Sequence, residues 1–202
     1  MKLNRVEKLL MNNPIRAMVQ RRFEAPLLER FGGRMEGLSV LEIGCGRGVG
    51  TQILIEQFGA ARVFAFDLDP DMVRRARRRL ARYGPPRVSL AVANARHIPA
   101  PDASFDAVTD FGIIHHIENW QAVIPEIRRV LKPGGRFLFE EVTRNALERW
   151  AYRTFLVHPT ENRFSAEEFI VELERNDIRV GHNSVTRFFG DFVIGAGIRG
   201  GD

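Results

Sequence analysis

The sequence predicts an α/β fold in which a mostly parallel sheet carries helices on both faces. Three observations point to it. Short apolar runs alternate with helical patterns between residues 38 and 142. A glycine-rich turn, Gly44-Cys45-Gly46-Arg47-Gly48, joins the first apolar run to the helix after it. Near the end, residues 178–186 and 192–199 flank Gly190-Asp191 and read as a closing antiparallel pair. In sheets of this class ligands bind beyond the carboxyl ends of the strands. The loops after strands one to four are therefore where function is expected.

The elements follow in order. Residues 14–31 read as a helix that opens at Asn13-Pro14 and stops at Phe31-Gly32-Gly33. Ile15, Met18, Val19, Phe23, Leu27 and Leu28 recur at helical spacing, and Arg16, Arg21, Arg22 and Arg30 fill much of the remainder. This is a basic amphipathic helix, expected as a flank or lid on the domain; contact with a membrane surface or an anionic substrate is the alternative. Strands are expected at 38–43, 62–67, 87–92, 105–113 and 136–142. Helices are expected at 48–58, 70–83 and 119–131, with Asp69 capping the second and Pro70 at its first position. Lys132-Pro133-Gly134-Gly135 closes the third. Two more helical stretches lie near 145–156 and 165–175, the latter opened by Ser165 with Glu168 three residues on, a capping box.

Composition narrows the classes. The 202 residues are 45% hydrophobic, enough for one domain with a sizeable core. No apolar stretch approaches the roughly 20 residues that cross a bilayer as a helix. Met1-Lys2-Leu3-Asn4-Arg5 leads into a mixed run, so no signal peptide is expected. The one cysteine, Cys45, cannot form an internal disulfide, which predicts a reducing cytoplasmic setting. Residues 1–34 hold eight basic and three acidic side chains, whereas the rest hold 22 of each sign. The whole surplus of +5 sits on the N-terminal segment, which any anionic partner should meet first. Arg74, Arg75, Arg77, Arg78, Arg79 and Arg82 form the outer face of the helix at 70–83, and no RNA-binding signature accompanies them. They read as a solvated face, and nucleic acid is not an expected partner.

The most informative stretch is Val40-Leu41-Glu42-Ile43-Gly44-Cys45-Gly46-Arg47-Gly48. A dinucleotide fingerprint would need a third glycine at Val49 or Thr51, and a P-loop would need Gly-Lys-Ser/Thr; neither is present. Glu42 beside the glycines would repel a pyrophosphate and suit a ligand carrying an ammonium or sulfonium. The other reading is a tight strand-to-helix turn and nothing more. Asp67 ends the next strand 23 residues after Gly44, where a carboxylate can accept from a ribose diol. Leu68 and Met72 would offer apolar contact to an adenine. After the third strand, the Asn94 carboxamide and the Ala95 amide can read an adenine edge.

Residues 38–142 resemble the class I S-adenosylmethionine-dependent methyltransferases of the broad small-molecule type. The matching segments are Val40 to Gly48, Ala65-Phe66-Asp67-Leu68-Asp69-Pro70, Asn94-Ala95 with Ile98-Pro99, Ser104-Phe105-Asp106-Ala107-Val108, Ile114-His115-His116-Ile117, and Arg129-Val130-Leu131-Lys132-Pro133-Gly134-Gly135. The resemblance implies a Rossmann-like, seven-stranded sheet with its last strand antiparallel. It implies S-adenosyl-L-methionine as cofactor, held by Glu42, Gly44, Cys45, Gly46, Asp67, Leu68, Met72, Asn94 and Ala95, with Phe111 and Gly112 beside its methionine part. The family usually has Asp where this chain has Asn94, which should weaken that contact modestly. The match is poor at residues 1–34 and 143–202, where such enzymes recognise substrates. Two units follow: an N-terminal flank or lid at 1–34, and a methyltransferase domain at 35–202 with substrate-cap helices at 143–176.

His115 is the expected catalytic group, facing the acceptor pocket and titrating near neutrality. His116 is read as a structural hydrogen-bonding group. Glu141 and Tyr152 are plausible acceptor-orienting groups, with surface or packing roles as the alternative. Adjacent His residues point in different directions and Cys45 lies in the glycine loop, so no metal site is expected. The resulting reading is a methyltransferase for a small-molecule acceptor. Its rivals are a lipid-headgroup or quinone methyltransferase that sits on a membrane through residues 1–34, and a non-catalytic cofactor-binding protein.

Overall fold

A computed structural model describes residues 14–148 and 161–201. The expected helix near 145–156 and the side chains of Trp150, Tyr152, Arg153 and His158 lie mostly or wholly outside them. Helix α1 (Pro14–Val19) passes through a π turn (Gln20–Glu24) into α2 (Ala25–Gly32). Strand β1 (Ser39–Ile43), α3 (Val49–Glu56), β2 (Arg62–Asp67), α4 (Pro70–Leu80), β3 (Val88–Val92) and β4 (Phe105–Phe111) follow. Then come α5 (Val123–Val130), β5 (Leu131–Val142), α6 (Arg144–Leu147), α7 (Ala166–Arg175), β6 (Ile178–Arg179), β7 (Ser184–Arg187) and β8 (Phe192–Arg199). Among the described residues no helix is long and apolar enough to cross a membrane.

The sheet order is β3-β2-β1-β4-β5-β8-β6, with β7 also paired to β8. β1 to β5 are parallel, and β8 is antiparallel to β5. The implied seven positions are present. The outermost one is shared by two short strands, β6 and β7, which pair with successive stretches of β8. Both faces are covered. α2, α3 and α4 pack on one side around Leu28, Leu54, Phe58 and Leu138. α5 and α7 pack on the other around Phe137, Phe139, Trp120 and Phe169. That explains why β1 reads as a continuous apolar run rather than an alternating one.

Local signals set several boundaries. Asp69 caps α4 by accepting from the Asp71 amide at 2.9 Å. Ser165 and Glu168 form the reciprocal capping box of α7. The N-terminal helix departs from expectation. The π turn inserts extra backbone and rotates the helix, so Gln20, Ala25, Leu28 and Gly32 turn inward. Ile15, Met18 and Phe23, which the spacing placed on the apolar face, are instead 69%, 55% and 69% exposed. The interior contact that selects this rotation is α2 lying against β5 and β8, where Arg136 donates to the Gly32 carbonyl.

Candidate functional site

The carboxyl ends of the central strands are in register. Ile43 pairs with Phe66 on one side and Asp110 on the other, and Asp67 pairs with Val92. The chain order reverses between β1 and β4, the place where open α/β sheets part to admit a ligand. A cleft of about 1000 Å³ opens there. Glu42, Gly44, Cys45, Gly46, Asp67, Leu68, Met72, Asn94, Ala95, Phe111 and Gly112 all line it.

The loop after β1 is shaped by hydrogen bonds to Asp67. One carboxylate oxygen accepts from the Gly46 amide and the other from the Asp69 amide, each at 2.9 Å. A carboxylate offers about four lone-pair sites, so two main-chain donors do not exhaust it. Gly46 has φ +50°, and a Cβ built there meets nothing within 4 Å. The main chain is bare where a ligand can lie against it, an arrangement that a side chain would fill.

Glu42 is buried, and its carboxylate accepts from the Thr51 hydroxyl. Burial, aided by the charges of Asp67 and Asp110, pushes its pKa up to about 8. A cation seated beside it would reverse that shift. Gly50 was not anticipated, although it continues the alternate-glycine spacing by one more step. A Cβ there would lie 2.0 Å from a Glu42 carboxylate oxygen and 2.7 Å from the Phe111 ring. Only a glycine lets the acid and the aromatic ring pack against the start of α3. Burial, with Glu42 and Asp67 nearby, raises the Cys45 thiol far above its ordinary pKa, so it offers no nucleophile.

In the adenine-edge loop, the Asn94 side-chain oxygen accepts from the Arg96 amide at 3.1 Å, and its carbonyl accepts from the His97 amide at 2.9 Å. Asn94 therefore closes its own turn as well as facing the cleft. Leu68 is 43% exposed at the rim and Met72 is buried beside it.

The loop after β4 corrects two expectations. His115 does not face the acceptor side. Its ring lies behind the cleft wall, with Nδ1 2.5 Å from Glu141, and His116 lines the cleft in its place. The two rings are 4.1 Å apart. Glu141 does not orient an acceptor either. It is fully buried and accepts from the amides of Ile113, Ile114 and His115 at 3.0, 2.6 and 3.2 Å. Asp110 also accepts from the Ile113 amide, at 3.0 Å. Burial and the adjacent Glu141 charge push the Asp110 carboxyl well above its usual range. These acids fold the loop so that Gly112 and His116 are presented to the cleft.

The N-terminal helix adds to the cleft lining through Arg16, Ala17 and Gln20. Arg16 pairs with Glu24 and reaches Glu140 on β5 at 3.3 Å. Glu140 is buried; that burial, then the Glu24 charge, raises its carboxyl well above the ordinary value. No local pattern announced Arg16, whose partner lies 124 residues away.

Residues 40–135 match the family model described as a methyltransferase domain. The chain is 39% identical over 116 residues to a probable S-adenosylmethionine-dependent methyltransferase of Mycolicibacterium smegmatis, covering 57% of this chain and 42% of that one. It is 36% identical over 107 residues to a fatty-acid O-methyltransferase of the same organism, covering 53% and 38%. The chain thus spans about two fifths of the length of these curated relatives. The solved structure of a SAM-dependent methyltransferase from Aquifex aeolicus superposes with a TM-score of 0.75 at 23% identity, covering 98% of this chain and 100% of that one, a likeness of fold. The glycine loop, the strand-end acids and these matches agree: residues 40–135 are a methyltransferase domain, on the fold of the class I S-adenosylmethionine-dependent methyltransferases.

Proposed function

We propose that the chain transfers a methyl group from S-adenosylmethionine to a small-molecule acceptor. One observation carries this reading: Glu42 and Asp67 on neighbouring strand ends face one cleft, with the bare main chain of Gly46 beside them. That donor set fits a cationic adenosyl ligand and disfavours a pyrophosphate. When bound, the cofactor supplies an activated methyl group on a sulfonium. Asp67 would hold the ribose diol, Leu68 and Met72 the adenine faces, and Asn94 with Ala95 its edge. Glu42 would balance the positive methionine end, while Phe111 and Gly112 flank it.

The chain's residues mainly align and enclose. Near-attack geometry alone is worth on the order of 7–11 kcal/mol. A base is needed only where the acceptor is protonated at working pH. His116 is the imidazole placed to serve there, and His115 acts through Glu141 as a positioning residue. The likeness to a fatty-acid O-methyltransferase supports an acceptor with an apolar part. The test is transfer of a labelled methyl group to a panel of carboxylic, phenolic and amine acceptors. Turnover with any of them that falls with Asp67→Ala supports the reading; donor binding with no transfer to any class favours a non-catalytic cofactor-binding protein.

A second reading has its own observation. Ile15, Met18 and Phe23 turn outward beside exposed Arg22, a surface suited to an anionic bilayer. Sedimentation with anionic vesicles that weakens in salt, and is lost in Phe23→Ser, would favour a membrane-surface enzyme.

A further inference from the structure

Two basic features far apart in the sequence, the N-terminal helix and the arginine face of α4, meet in the fold. Arg21 and Arg22 of the π turn, Arg47 of the glycine loop and Arg79 of α4 line a groove of about 470 Å³, with Met18 on its wall. Arg47 and Ala17 border both this groove and the cleft, so the two adjoin. Arg75 and Arg79 lie near enough to Arg47 that their charges, after burial, work against its protonation. Glu56 pairs with Arg21 at 3.0 Å and with Arg82, and the positive charges outnumber it. Arg22 and Arg79 stand exposed at the rim.

Like charges gathered this closely repel one another, and a multivalent anion between them turns that repulsion into attraction. Guanidinium forks match phosphate oxygens in paired hydrogen bonds. A phosphate monoester carries about −1.5 to −2 near neutrality, a better match to several guanidiniums than a single carboxylate. We propose that this groove binds a phosphate or diphosphate group of the methyl acceptor, whose apolar part runs past Met18 toward the cleft. The inference rests on the methyltransferase reading of that cleft and names its acceptor class. The phosphate belongs either to a soluble acceptor or to a lipid headgroup.

The test is calorimetric titration of the full chain with inorganic pyrophosphate, alongside S-adenosylhomocysteine. Saturable pyrophosphate binding is expected, weakened at least tenfold in the double variant Arg22→Gln/Arg79→Gln, with S-adenosylhomocysteine affinity unchanged. The control variant Arg77→Gln/Arg78→Gln changes exposed arginines of the same helix outside the groove and should bind as wild type. A parallel arm uses vesicles of phosphatidic acid against phosphatidylcholine. Binding to phosphatidic acid that the groove variant loses assigns the phosphate to a lipid; pyrophosphate binding without vesicle binding assigns it to a soluble acceptor. Equal weakening in the control variant overturns the groove as a site, as does failure to bind either probe. Loss of S-adenosylhomocysteine binding in the wild type would instead strike the reading of the cleft, and leaves the pyrophosphate result standing.

Discussion

The two walls of the cleft are built in opposite ways. The wall at β1, β2 and β3 is held by bonds that reach at most one strand away: Asp67 to Gly46 and Asp69, Glu42 to Thr51, Asn94 to Arg96. The wall at β4 and the N-terminal helix is held by distant partners: Glu141 to the loop at 113–115, and Arg16 to Glu140. The first wall draws on partners no more than 21 residues apart. The second exists only once the sheet has formed. Damage to the first should therefore cost ligand affinity, and damage to the second should cost stability.

The largest effect is expected at Glu141. Glu141→Ala strands the Ile114 and His115 amides and takes the Glu141 partner from the buried His115 ring, while the Ile113 amide keeps Asp110; each group left unpaired costs about 1–3 kcal/mol. Urea unfolding should show a loss of about 3–5 kcal/mol; a loss below about 1 kcal/mol would mean that the loop holds itself. Asp67→Ala should act differently, weakening S-adenosylhomocysteine at least tenfold by calorimetry while the chain stays folded, because the ribose bonds are lost. Unchanged affinity would remove Asp67 from the site.

Glu42 gives a pH signature. Its folded pKa of about 8 lies above the ordinary 4.5, so the folded state holds a proton that the unfolded chain releases. Its contribution to stability is complete below pH 4.5 and is lost as pH rises through about 8. A cationic donor needs the ionised form. Affinity for S-adenosylmethionine should thus climb up to about tenfold per pH unit toward 8 and then level off, and Glu42→Gln should flatten the profile. The smallest effect is expected for Arg16→Met. Burial already raises the Glu140 carboxyl well above its ordinary value, and the other carboxylate that loses the guanidinium, Glu24, is partly exposed. A stability loss of about 1 kcal/mol is expected, with faster release of S-adenosylhomocysteine in stopped-flow. A loss as large as that of Glu141→Ala would make the N-terminal helix contact as important to stability as the loop at 113–115.

What was legible in the sequence follows the same division. The Asp69 cap and the Ser165 capping box rest on contacts within a few residues, and local spacing encodes them; the strand at 62–67 is marked by its apolar run and completed by pairing with β1 and β3. The eleven expected cofactor residues gather at one cleft because the parallel sheet brings the carboxyl ends of β1 to β4 together. The π turn does have a mark: Pro26, two residues past Gln20–Glu24, lacks the N–H that the Arg22 carbonyl would accept from, and α2 packs on the sheet beyond it. Spacing gives His115 the acceptor side and His116 a structural role, but a 3₁₀ turn, Ile114–His116, decides which residue lines the cleft, and Glu141 pins that turn from another strand. Gly50 was legible and overlooked, for the alternate glycines run one step past Gly48.

Titration of the wild-type chain with S-adenosylhomocysteine and, separately, with NAD bears on all of this at once. Saturation of one site by S-adenosylhomocysteine, with no heat from NAD, is the expected result. NAD binding in the cleft, or no binding of S-adenosylhomocysteine, would contradict the assignment of Glu42, Gly46 and Asp67 to a cationic adenosyl ligand.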